Sequence, residues 1–151
     1  MKNRFILAAA FASLLLASHA QAAANLTGVW KLNLAKSDFG PAPPPDSMTR
    51  TINHNDPSLQ MSTFQKGAQG EVTTEVKYTT DGKMAENKGS KGSAKWDGDK
   101  LVIDSVRQNQ ETEIKFHDVY SLSADGKVLT VNTHLAVPQG EFDLTLVFEK
   151  Q

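Results

Sequence analysis

Beyond about residue 25, apolar side chains recur at every second position, and turn residues interrupt them roughly every 8 to 14 positions. Val72, Thr74, Val76 and Tyr78 share one phase. Ile114, Phe116, Tyr120 and Leu122 share another, as do Leu129, Val131, Leu135 and Val137, and then Phe142, Leu144, Leu146 and Phe148. Successive side chains of a strand point to opposite faces, so this rhythm predicts antiparallel strands with one face buried. Asp56-Pro57, Asp81-Gly82, Asp97-Gly98 and Asp125-Gly126 read as the turns between them. Strands are expected over 26–34, 48–55, 59–66, 71–79, 90–96, 101–107, 111–122, 128–137 and 142–149, with 82–89 the least certain stretch. Nothing in this region carries a 3.6-residue apolar period, so no substantial helix is expected. The chain is therefore all-β, with eight to nine strands in a meander. Closure into an up-and-down barrel would remove its exposed edges, and an open two-sheet sandwich is the alternative.

The first 22 residues follow a different logic. Lys2 and Arg4 precede an apolar run from Phe5 to Ala17, broken only by Ser13, and small residues follow. Ala20-Gln21-Ala22 offers one A-x-A cleavage pattern and Ala22-Ala23-Ala24 a second. The apolar run is shorter than the roughly 20 residues a bilayer crossing needs. Residues 1–22 are thus expected to be a cleavable signal peptide, and 23–151 a single domain that is periplasmic or secreted and not inserted in a membrane. With Lys2 and Arg4 removed, the 16 basic residues become 14 against 17 acidic ones, a net charge of −3. No basic run exceeds one residue, which argues against nucleic acid as a partner. The chain has no cysteine, so neither a lipid-anchoring thiol nor a disulfide is available. Packing and backbone pairing must hold the domain together.

One segment breaks the rhythm. Phe39-Gly40-Pro41-Ala42-Pro43-Pro44-Pro45-Asp46 is far longer than a hairpin turn, and its consecutive prolines favour an extended, stiff conformation. It is expected to cross one end of the barrel, either as a plain spacer or as a rigid flap with Phe39 tucked inward. A Pro-rich ligand for a partner domain is a further possibility.

The first expected strand opens with Leu26-Thr27-Gly28-Val29-Trp30. A Gly-x-Trp at this place, in a meander of this length, resembles the calycin superfamily, the lipocalins and their relatives. The region beyond the signal is similar to small exported bacterial proteins described as lipocalin-like. The resemblance implies that the glycine lets the backbone pass closely while the Trp30 indole plugs the closed end. The sequence departs from the lipocalin pattern in several places. Lys150 stands where an arginine usually pairs with the tryptophan, and Thr80-Asp81-Gly82 only echoes the middle motif. No helix follows the last expected strand, and the helical lid of intracellular fatty-acid binders is missing. The opening string also resembles avidins, but two tryptophans, Trp30 and Trp96, are too few for their pocket.

Enzyme motifs are absent: there is no Gly-x-Ser-x-Gly elbow, phosphate-binding loop, His-Glu-x-x-His or thiol. His117 and His134 are out of phase with their apolar neighbours, point outward, and fall opposite or diagonal to one another. Two imidazoles lack the third and fourth ligands of a zinc site, so no metal or cofactor is expected. His54 is expected in a turn. Three charges fall in phase with apolar residues instead: Arg50, Arg107 and Asp118. A charge inside a barrel is costly unless paired or solvated. Arg107 with Tyr120 is the candidate anchor for a carboxylate, and Trp96, Tyr78 and Phe116 are candidate apolar walls. Arg107 at the watery rim is the plainer reading. The expected function is non-catalytic binding of a small apolar or amphipathic molecule. The alternative is a protein-interaction or inhibitor module that uses the outer face or residues 39–46.

Overall fold

Ten antiparallel strands, joined in one sheet that curls almost shut, make up the computed structural model, which describes residues 24–109 and 112–151. The expected signal peptide lies outside these residues. Every strand expected from the rhythm is present. The strands are β1 (Gly28–Leu32), β2 (Ser47–Asn55), β3 (Ser58–Gly67), β4 (Gly70–Thr79) and β5 (Asp81–Asn87). They continue with β6 (Ser90–Asp97), β7 (Lys100–Asn109), β8 (Thr112–Leu122), β9 (Val128–Val137) and β10 (Gly140–Lys150). A single 3-10 turn, Leu34–Lys36, stands between β1 and β2, and no α-helix occurs among the described residues. The count exceeds expectation by β5. Its residues are mostly polar, Met84 is exposed, and only Ala85 packs against the core, so no apolar alternation announces it. Asp81-Gly82, expected as a turn, opens this strand, and the chain reverses at Thr80.

Each strand pairs with its neighbour in sequence, with one exception, and β1 pairs with both β2 and β10. The exception is β4 and β5, which are consecutive in the chain yet form the two ends of the sheet. A side chain bridges them. The Asn87 carboxamide accepts from the Lys77 backbone N–H at 2.8 Å and donates to the Lys77 carbonyl at 3.2 Å, in place of a ladder rung.

The core lies towards one end. Trp30 is fully buried, its indole N–H donates to the Leu26 carbonyl at 2.9 Å, and Ile52, Leu59, Leu101, Leu129 and Phe148 pack with it. Lys150 is the cross-strand partner of Trp30, and its ammonium stands 5.3 Å from the indole centre. Gly28 makes room for this contact, since a Cβ there would meet the Lys150 stem at 2.7 Å. Away from this end the inward positions of Met48, Val76 and Leu146 are only partly buried. Across that end, Phe39 packs partly buried against the core and Pro45 is buried, whereas Pro43 and Pro44 are exposed.

Candidate ligand cavity

Inside the barrel, above the Trp30 layer, is a cavity of about 240 Å³. It has apolar walls from Met48, Met61, Val76, Ile103, Phe116, Leu144 and Leu146, and polar groups from β2, β3, β4, β6, β7, β8 and β9. Thr63, Gln65, Thr74 and Arg107 also line an outer recess of about 380 Å³, which Pro43–Pro45 and the β3–β4 turn complete. The interior therefore opens towards the Pro-rich segment.

Arg50 is the central cation. Its Nε donates to the Thr63 hydroxyl at 3.0 Å, which follows from the cross-strand pairing of these two residues. Its Nη1 donates to the Tyr120 hydroxyl at 2.9 Å, and the guanidinium lies 5.0 Å from the Phe148 ring centre and 5.7 Å from that of Tyr120. Among the described residues Nη2 bonds no protein atom, and no buried polar atom is left without a partner. That nitrogen accordingly faces the cavity. Tyr120 is buried, and its burial pushes the phenol pKa up, keeping the hydroxyl protonated.

Asp118, two residues before Tyr120 on β8, shares its inward face. Its cross-strand partner Thr133 donates a hydrogen bond to Oδ1. Burial pushes the Asp118 pKa above the usual carboxylate value, although the Thr133 hydroxyl and the Arg50 charge pull the other way. Tyr78, on the β4 side, is likewise raised by burial, against a hydrogen bond with Ser105.

The sequence-derived residues are not all brought together. Tyr120, Tyr78 and Phe116 line the cavity, and Arg107 lines both cavity and recess. Arg107 does not reach Tyr120, however. On β7 it is Leu101 that pairs with Tyr120, while Arg107 pairs with Ile114, six residues further along. At about 3.3 Å per residue this places Arg107 roughly 20 Å along the strand from the Tyr120 level. Its guanidinium lies at the exposed rim, 5.4 Å from the Phe116 ring centre. Arg50, inward by its phase on β2, occupies the position beside Tyr120 instead.

Trp96 is not a wall of the cavity. Its indole N–H donates to the Asp56 carboxylate at 3.1 Å, and its ring lies 5.7 Å from that of His54. His54 is no turn residue either. It is buried within β2, with Nδ1 accepting from the Leu26 N–H at 3.4 Å and Nε2 3.3 Å from Asp56. Nδ1 as acceptor leaves Nε2 carrying the proton. Hydrogen bonds from Thr80 and Trp96 hold the Asp56 carboxyl below its usual pKa. This cluster ties the closed end together.

On the outer face, pairing sets Asp104, His117, His134 and Asp143 in one row across β7, β8, β9 and β10. His117 Nδ1 is 2.6 Å from Asp104, and His134 Nδ1 is 2.8 Å from Asp143. The Asp143 carboxylate, with Glu141 adding to it, raises the His134 pKa. Among the described residues no three His, Cys, Asp or Glu side chains are grouped so as to hold a metal ion.

Ten antiparallel strands closed at one end by a tryptophan, with a partly polar cavity at the other, make a nearly closed up-and-down β-barrel. No protein-family model matches the chain, and no curated protein sequence matches it. Solved structures do match. Zebrafish ileal bile acid-binding protein complexed with cholic acid is 18% identical, with 83% of this chain and 98% of that one covered at a TM-score of 0.57. A point mutant of the fluorescent protein UnaG is 17% identical, over 83% and 95% of the two chains, at 0.56. Human cRBP IV is 16% identical, over 85% and 99%, at 0.50. At these identities the likeness is one of fold.

Proposed function

We propose that this protein is a non-catalytic binding barrel for a small amphipathic molecule with an acidic head, acting in the periplasm or outside the cell. The observation that carries the reading is the cavity with Arg50 in its wall, one guanidinium nitrogen open to the interior and the Tyr120 hydroxyl beside it. Such a pair favours an oxyanion through charge-assisted hydrogen bonds, while Phe116, Leu144 and Leu146 offer contact to an apolar body. The bile acid-binding barrel supports the reading by fold alone. Export rests on the pattern of residues 1–22.

Titration with dodecanoic acid and with dodecanol, followed by tryptophan fluorescence or calorimetry, tests it. A hydrogen bond to a charged group contributes about 1.5–3 kcal/mol, so the acid should bind about 10- to 100-fold more tightly. Arg50→Gln should abolish that preference while the β-sheet circular dichroism stays unchanged. Equal affinities in the wild type would remove the acidic head from the proposal. No binding of either compound would remove the ligand.

A further inference from the structure

We propose that the cavity takes up one proton with each acidic molecule it binds, and that Asp118 receives it. This inference rests on the binding function proposed above and concerns a residue that function does not use.

Asp118 is an unusual wall for a site that holds an anion. It projects inward on β8 beside Tyr120, the hydroxyl to which Arg50 donates. Only its Oδ1 has a protein partner among the described residues, the Thr133 hydroxyl, and no buried polar atom there lacks a partner. Its Oδ2 therefore faces the cavity that Asp118 lines. Arg50 is close enough to act on it through charge, yet no Arg50–Asp118 ion pair within 4.0 Å forms among the described residues. The two opposite charges look onto the same space without touching.

The surroundings of Asp118 narrow what can follow. Facing the cavity are Arg50 from β2, Tyr78 from β4, Ser105 and the rim cation Arg107 from β7, and Thr133 from β9. From β10 come only Leu144 and Leu146. Asp104, His117 and His134 stand on the outer face, with Asp104 and His117 paired to one another and His134 to Asp143. Asp118 is thus the carboxylate that shares the interior with Arg50.

An acid head seated on Arg50 and Tyr120 places a second negative charge beside Asp118, in a space of low dielectric. Like charges so placed do not both remain ionised. A head with a lower intrinsic pKa than Asp118 keeps its charge, and Asp118 takes a proton from solvent onto Oδ2. The change reverses the sign of the contact, because a carboxylic acid O–H can donate to the head group that the carboxylate would repel. Burial, which already favours the neutral form of Asp118, acts in the same direction.

Two probes with one apolar body separate this inference from the reading it rests on. 8-Anilinonaphthalene-1-sulfonate is anionic at every working pH, and N-phenyl-1-naphthylamine lacks the sulfonate. Fluorescence titrations from about pH 5 to about pH 8 should show sulfonate affinity falling by up to about tenfold per unit, with the neutral probe unchanged. Calorimetry of the sulfonate probe in two buffers of different ionisation heat should count close to one proton taken up. Asp118→Asn, which can still accept from Thr133, should bind the sulfonate with a flat pH profile and no proton uptake. If wild type binds both probes with flat profiles, or if the Asn variant keeps the slope, the inference fails while the ligand reading stands. If neither probe binds, the ligand reading falls and takes the inference with it.

Discussion

Asp118 is costly to the free protein at neutral pH, and the sign of that cost can be worked out. Its folded pKa lies above 3.8, its ordinary value. Its favourable contribution is therefore fully present below about 3.8 and is lost as the pH rises through the folded value. Asp118→Asn should melt at a higher temperature than wild type at neutral pH, with the difference closing as the pH falls towards 3.8. A variant that melts lower than wild type at neutral pH would show instead that the contacts favouring the ionised carboxylate, the Thr133 hydroxyl and the Arg50 charge, outweigh its burial. At this scale the sequence is legible in part. Phase along a strand identifies Arg50, Arg107 and Asp118 as inward-facing. It does not say how far along the barrel each one lies, because that depends on the register between strands. Register is what separates Arg107 from Tyr120 and sets Arg50 beside it. His54 departs from expectation for a related reason: its neighbours Asn53, Asn55 and Asp56 look like a turn, yet pairing with β3 continues through Asn55.

Among the elements, β5 is the one held differently. Its link to β4 among the described residues includes the Asn87 carboxamide, which imitates a peptide group towards Lys77. Asn87→Ala should leave the other ladders intact and speed hydrogen exchange at the Lys77 amide, read by NMR or mass spectrometry, with amides of β9 unaffected. Unchanged exchange at Lys77 would mean that packing, not the carboxamide, holds the two strands together. The alternating strands β4, β8, β9 and β10 are readable because half of each is apolar and faces inward. β5 is not, because Asp81, Lys83, Glu86 and Asn87 give an edge strand no apolar phase to detect. The Pro-rich segment is legible as an irregular connection across a barrel end, and Phe39 and Pro45 show which of its side chains turn inward.

At the scale of the whole molecule, stability and binding are drawn from opposite ends of one barrel. Trp30, fully buried at the closed end, should carry a large share of stability, and Trp30→Ala should cost about 3–5 kcal/mol in urea unfolding. Arg107→Gln, at the exposed rim, should stay within about 0.5 kcal/mol of wild type. The Gly28-Val29-Trp30 string by itself marks the closed end. Nothing in the sequence marks where the sheet fails to zip, because closure depends on the summed twist of all the strands. That gap has a bearing on solubility. β4 and β5 are the two unpaired edges of the sheet, each a template on which a second chain could add a strand, and the Asn87–Lys77 bridge holds them against one another. A barrel sprung open at Asn87 would expose two such templates at once, so the carboxamide that completes the wall also guards against aggregation.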